Sequence, residues 1–102
     1  MDKREIIEIL KKYFSVLQSE VIQIYKAYLF GIYLINTATN ESDIDIMIVT
    51  ESEDDYLTGK IWSLTKNVNS KIEPYLEVIT RFIENEDSPL IDLVKKTGLE
   101  IA

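Results

Sequence analysis

Cysteine and histidine are both missing from the 102 residues, and their absence excludes disulfide staples, thiolate chemistry and the usual ligands of zinc. A divalent cation held by this chain must therefore take oxygen ligands, which leaves ions such as Mg²⁺, Mn²⁺ or Ca²⁺. Glycine (three) and proline (two) are nearly as scarce, so a fibrous or linker-like chain is excluded and each of these residues stands out as punctuation. Long apolar runs are also lacking. MDKREIIEILKK carries charge throughout, unlike a signal peptide or a membrane span, and the expected compartment is the cytoplasm. Basic residues are the minority, 11 against 18 acids, for a net charge of -7. Seven acids and no base lie between Glu41 and Asp55, while the rest of the chain is neutral. With no basic stripe to neutralise phosphates, binding of nucleic acid by this domain alone is not expected.

What is present suits one compact α+β domain spanning residues 1–102, with 46% hydrophobic residues and enough length for one core. Ile6, Ile7, Leu10, Phe14 and Leu17 recur at helical spacing, which predicts an amphipathic helix from Asp2 to about Gln18. VIQIYKAYLFG, from Val21 to Gly31, predicts a strand closed by a turn. A short helical turn from Tyr33 and a loop from Asn36 to Ser42 follow, and then DIDIMIVTE, the clearest strand. Ser52 is a candidate cap for a helix starting near Glu53 and running through Tyr56, Leu57, Ile61, Trp62 and Leu64 towards Val68. Lys71–Thr80 reads as a strand whose Pro74 implies an edge or a bulge. Asp87 or Ser88 then caps a helix that Pro89 opens and Gly98 closes, with Leu90, Ile91, Leu93 and Val94 as its apolar face, and Leu99 to Ile101 forms a last short strand. The expected order is α-β-α-β-α-β-α around one small mixed sheet with helices packed on it.

Two aspartates interrupt the isoleucines of the clearest strand. Alternation puts Asp43 and Asp45 on one side, about 6.5 Å apart along the backbone, and Ile44, Ile46 and Ile48 on the other. Carboxylates at that spacing repel each other unless a cation lies between them, which makes the pair a candidate seat for the divalent ions of phosphoryl transfer. The alternative is an exposed strand start where Ser42 and Asp43 merely finish a turn. Upstream, Gly31 follows Tyr28, Leu29 and Phe30, a placement in which backbone N–H groups can approach a phosphate, or in which the glycine simply makes a turn.

Gly31, one further residue, ten more from Tyr33 to Ser42, and then Asp43-Ile44-Asp45 resemble the G-S-x10-D-x-D signature of the DNA polymerase beta nucleotidyltransferase superfamily. Similarity to its minimal members extends over L-F-G, T-A-T, S-D-I-D, I-E-P, S-P-L and K-K-T-G-L-E-I-A. The resemblance implies that domain's fold and a site with two Mg²⁺ ions held by Asp43, Asp45 and a third acid on a neighbouring strand. Glu73 is the first choice for that acid and Glu77 the second. It further implies transfer of a nucleoside monophosphate, AMP from ATP above other nucleoside triphosphates, to a hydroxyl of a protein or small molecule. Gly31, the following residue Ile32 and Ser42 would line the nucleotide. Ile32 departs from the pattern, because the family has serine there and Ile32 offers no hydroxyl to a phosphate. That departure supports an alternative, a catalytically impaired relative acting as an antitoxin-like module for a helical, toxin-like partner. The acidic stretch from Glu51 to Asp55 is a candidate surface for a basic partner, and Leu76, Val78 and Ile79 are a candidate edge for pairing with a second copy.

Overall fold

The computed structural model describes residues 3–31, 42–52, 54–84 and 88–101. Along the chain these residues form α1 (Lys3–Ser19), β1 (Lys26–Phe30), β2 (Ile44–Thr50), α2 (Asp55–Thr65), β3 (Ile72–Val78), α3 (Ile79–Glu84), α4 (Pro89–Thr97) and β4 (Leu99–Glu100). The strands make one mixed sheet in the order β3-β2-β1-β4. β1 is antiparallel to both β2 and β4, whereas β2 and β3 are parallel and joined through α2, as a parallel crossover requires. The expected α+β class is observed.

Strand alternation divides the core in two. One face of the sheet presents Ala27, Leu29, Ile44, Ile46, Ile48 and Ile72 to α1 and α2, which supply Ile6, Leu10, Tyr13, Phe14 and Leu17 and then Ile61 and Leu64. Burying the Tyr13 ring pushes its phenol above the usual range, and the hydroxyl is satisfied by donating to the Ile61 carbonyl at 3.0 Å. The opposite face presents Phe30, Met47 and Val49 to Phe82 of α3 and to Ile91 and Val94 of α4. Asp45 lies on this second face, in register with Phe30 on one side and Glu73 on the other. Isoleucine and aspartate thus alternate because the two sides of β2 meet different partners.

Several boundaries differ from the sequence-based expectation. The first strand begins at Lys26 rather than Val21, because α1 ends in a tight reversal. There Val21 N–H donates to the Gln18 carbonyl at 3.0 Å and Ile22 N–H to that of Leu17 at 3.1 Å. This pair of bonds is a Schellman motif, and it places Val21 at φ 60°, a position usually held by glycine. α2 is capped by Asp54 rather than Ser52: Asp54 has extended backbone and its carboxylate accepts from Leu57 N–H at 2.6 Å, while the Ser52 carbonyl is engaged by the Thr50 hydroxyl. Tyr56 and Trp62, expected on the apolar face of α2, are 77% and 43% exposed.

β3 ends at Val78, and α3 follows without a break, an element the pattern did not predict because ITRFIE has neither a cap nor a glycine to announce it. Pro74 marks an edge strand and not a bulge, since pairing with β2 runs unbroken from Ile44↔Ile72 to Thr50↔Val78. Of the expected apolar edge, Leu76 packs against the first core and Ile79 against the second. Ser88 is the cap of α4, accepting from Ile91 N–H at 3.2 Å, with Pro89 at its first turn as expected, whereas Leu93 is 47% exposed. β4 is tied to β1 by the Lys26–Glu100 ion pair at 2.7 Å. No helix among the described residues is long and apolar enough to cross a membrane. The expected helical turn from Tyr33 lies outside the described residues, as does Ile32.

Candidate active site

The end of β1, the start of β2 and the start of β3 converge at one corner of the second face. Gly31 has φ 83°, where side-chain-bearing residues are strained, and it lies next to Phe30, the register partner of Asp45. A Cβ at Gly31 would stand 2.5 Å from Asp45 Oδ2 and 3.4 Å from the Asp45 Cβ. The glycine thus does two things: it permits the turn, and it lets the main chain close onto a carboxylate. Such close approach is the geometry a Gly turn needs if its backbone is to serve a ligand beside that carboxylate.

Asp45 is half-buried, and its carboxyl is pushed up from 3.8 to about 6, first by burial and then by the negative charges of Glu73 and Asp43. Among the described residues, both charges acting on it are therefore of its own sign. Asp43 is exposed and precedes the first residue of β2, as does the half-buried Ser42. Glu73 faces Asp45 across the parallel β2–β3 ladder, whereas Glu77 pairs with Val49, roughly 13 Å further along the strand, and is engaged by Arg81 at 3.6 Å. The register therefore brings Asp45 together with Glu73, Asp43 lies close enough to act on Asp45, and Glu77 is left apart.

Tyr75 completes the corner and was not anticipated from the sequence, although its position two residues after Glu73 puts it on the same face. Its phenol is raised by burial and then by the charges of Asp45, Glu73 and Asp43. The Tyr75 ring meets Phe30 edge-on, with centroids 5.2 Å apart.

A family model for the nucleotidyltransferase domain matches residues 3–100. The chain belongs to the nucleotidyltransferase domain family. Nucleotidyl transfer is the general activity this membership carries. The nucleotidyltransferase domain also has a similar fold to a provisionally described nucleotidyltransferase of known structure from Sulfolobus solfataricus, with a TM-score of 0.63 at 12% identity over 94% of this chain and 78% of that one. No curated protein matches the sequence.

The family generally uses nucleoside triphosphates with divalent metals. The fit of this corner to such an ion rests on charge and donor type: Asp45 is raised by burial and then by two neighbouring carboxylates, whose repulsion a cation relieves, and every candidate ligand is a hard oxygen. Among the described residues no three acids are drawn together into a preformed metal cluster. The corner is an acid pair with a third charge nearby.

Proposed function

We propose that this domain transfers a nucleoside monophosphate, AMP from ATP, to a hydroxyl of a protein or small molecule, with Mg²⁺ held by Asp45, Glu73 and Asp43. The observation that carries this reading is the pairing of Asp45 with Glu73 beside a glycine turn that closes onto Asp45. When bound, the divalent ion supplies neutralisation of phosphate charge and acidification of the acceptor hydroxyl. The chain's own contribution is positional. Gly31 leaves room for the main chain to approach the phosphates, and the sheet fixes the spacing of the two carboxylates. Glu73 assists removal of the acceptor proton as the acceptor oxygen bonds to the α-phosphorus, the bond from that phosphorus to the bridging oxygen breaks, and pyrophosphate leaves.

Calorimetry of ATP with Mg²⁺ tests the reading: wild type binds only when Mg²⁺ is present and Asp45→Asn does not. Absence of Mg²⁺-dependent binding by the wild type ends it. Ile32 favours a second reading, a non-catalytic, antitoxin-like binding module, since it stands where the resembled family has serine. Ile32→Ser should tighten nucleotide binding if that residue alone weakens the phosphate site, as one hydrogen bond to a charged group is worth about 1.5–3 kcal/mol. Transfer of label from ATP to a co-expressed helical partner protein separates the enzyme from the module.

A further inference from the structure

Glycine in the middle of a helix weakens it, and α2 holds one at Gly59. The fold itself gives no reason for it: a Cβ built at Gly59 meets nothing within 4 Å, and the residue is helical, so alanine would fit and would favour the helix more. The surface around it carries a pattern. Asp55, Tyr56, Gly59, Trp62, Ser63 and Lys66 are all exposed and recur at spacings of three and four, which makes one stripe along the outer side of α2. The inner side, with Leu57, Ile61 and Leu64, packs into the first core. Outward from Gly59 the stripe meets an aromatic ring at the third residue in both directions, Tyr56 and Trp62, and both rings face solvent.

We propose that this face joins two copies of the chain, with α2 crossing its counterpart antiparallel at Gly59 about a two-fold axis. In such a contact residue i meets j and j meets i, so with Gly59 on the axis Tyr56 lies against Trp62 of the partner subunit, and Trp62 against Tyr56 of the partner subunit. The missing side chain lets the helices approach to about 8 Å, the close end of helix packing, and the four rings cover one another's apolar surface. Charge selects the antiparallel orientation. Glu51, Asp54 and Asp55 gather at the start of α2, whereas Lys66 follows its end. At 1.5 Å per residue Lys66 lies roughly 10 Å from the axis and Asp55 about 6 Å on the other side, so an antiparallel partner leaves an axial gap of about 4–5 Å between base and acid, which a lysine stem spans. A parallel partner would set acids against acids. The occupant is a second copy because one stripe holds both halves of the contact, ring for ring and acid for base. The acid corner lies on the opposite face of the sheet from α2, so the pair leaves both corners open, and the proposal does not depend on the nucleotide reading.

Sedimentation velocity over a concentration series into the high-micromolar range should show the chain passing from monomer to dimer. Trp62 is the chain's one tryptophan, so its fluorescence reports on this face, and the emission should move to shorter wavelength as the dimer forms. Gly59→Ala separates fold from contact. It should raise the melting temperature of the dilute monomer and weaken the dimer about tenfold, because the added Cβ is tolerated within the chain and crowded at the crossing. Charge exchange supplies a second pair of variants. Asp55→Lys and Lys66→Glu should each stay monomeric alone and form a dimer when mixed, since both contacts across the axis then join opposite charges. A wild type that remains monomeric at the highest concentration overturns the proposal, as does Trp62 emission that shifts only when another protein is added. A dimer that leaves Trp62 emission unchanged, or that neither Gly59→Ala nor the charge exchange alters, puts the contact on another face and equally overturns it.

Discussion

Asp45 sets the behaviour of the corner because it is the residue most burdened by its neighbours. An unfolded chain ionises it near 3.8 and the folded chain near 6, so between those values the native state holds more protons than the unfolded one. The sign follows from linkage: the contribution of Asp45 to stability falls as pH rises from about 4 to 6 and stays at its lower value above that. The full shift corresponds to about 3 kcal/mol, and the partial solvation of the carboxylate reduces this to about 1 kcal/mol. Urea denaturation in chelator should therefore find Asp45→Asn more stable than wild type by about 1 kcal/mol at pH 7.5, with the difference vanishing near pH 3.5. Saturating Mg²⁺ should reverse the order at pH 7.5, since only the wild type gains from binding the ion. Gly31 carries the complementary constraint. Gly31→Ala meets both the left-handed backbone, worth about 1–2 kcal/mol, and the Asp45 carboxylate 2.5 Å from the new Cβ. A loss of stability of about 2 kcal/mol in urea, together with weakened Mn²⁺ binding as Asp45 is displaced, is the expected outcome.

The elements show where sequence patterns carry structural information and where they do not. IDIMIV was legible as a strand, and so was the separation of Asp45 from Ile44, Ile46 and Ile48, because period-two alternation depends only on backbone geometry. The cap of α4 was legible because Ser88-Pro89 combines a side-chain acceptor with a fixed φ. The choice between Glu73 and Glu77 was not legible, since both lie on one face and only the register with β2 distinguishes them. Tyr75 was missed as part of the corner for the same reason: its relation to Phe30 crosses two strand pairings. The end of α1 was misread because Val21, Ile22 and Ile24 carry a strand-like composition, while the chain spends Val21 and Ile22 on a Schellman turn and β1 begins only at Lys26. That turn holds a β-branched residue at φ 60° with its side chain 84% exposed, so strain is present without compensating burial. Val21→Gly should therefore stabilise the fold by about 0.5–1 kcal/mol, the relieved strain less the added backbone entropy of glycine. Chemical denaturation measures this directly, and a destabilised variant would show that Val21 contributes contacts its exposure conceals.

At the scale of the whole molecule, charge decides how a triphosphate can approach. The chain carries a net charge of -7, and among the described residues the charges bearing on Asp45 are those of Glu73 and Asp43, with no lysine or arginine among them. Among the described residues, bases engaged in ion pairs away from this corner include Lys26 with Glu100, Lys60 with Glu20, Arg81 with Glu77 and Lys96 with Asp92. On the proposed reading, a free triphosphate is repelled by the acidic surface and by these carboxylates, and its attraction comes from a cation held between the two. Proteins that bind polyphosphates through lysine and arginine lose affinity steeply as salt rises, because their attraction is screened and bound counterions are no longer released at a gain. The opposite dependence is expected here. Between 20 and 200 mM NaCl the screening length falls from roughly 20 Å to below 10 Å, which weakens the long-range repulsion while leaving the short-range contact of carboxylate with cation largely intact. At fixed saturating Mg²⁺ the association rate of ATP, followed by stopped flow, should rise or hold constant over that range. A severalfold fall would mean that basic side chains, rather than a cation bridging two sets of oxygens, draw the nucleotide in.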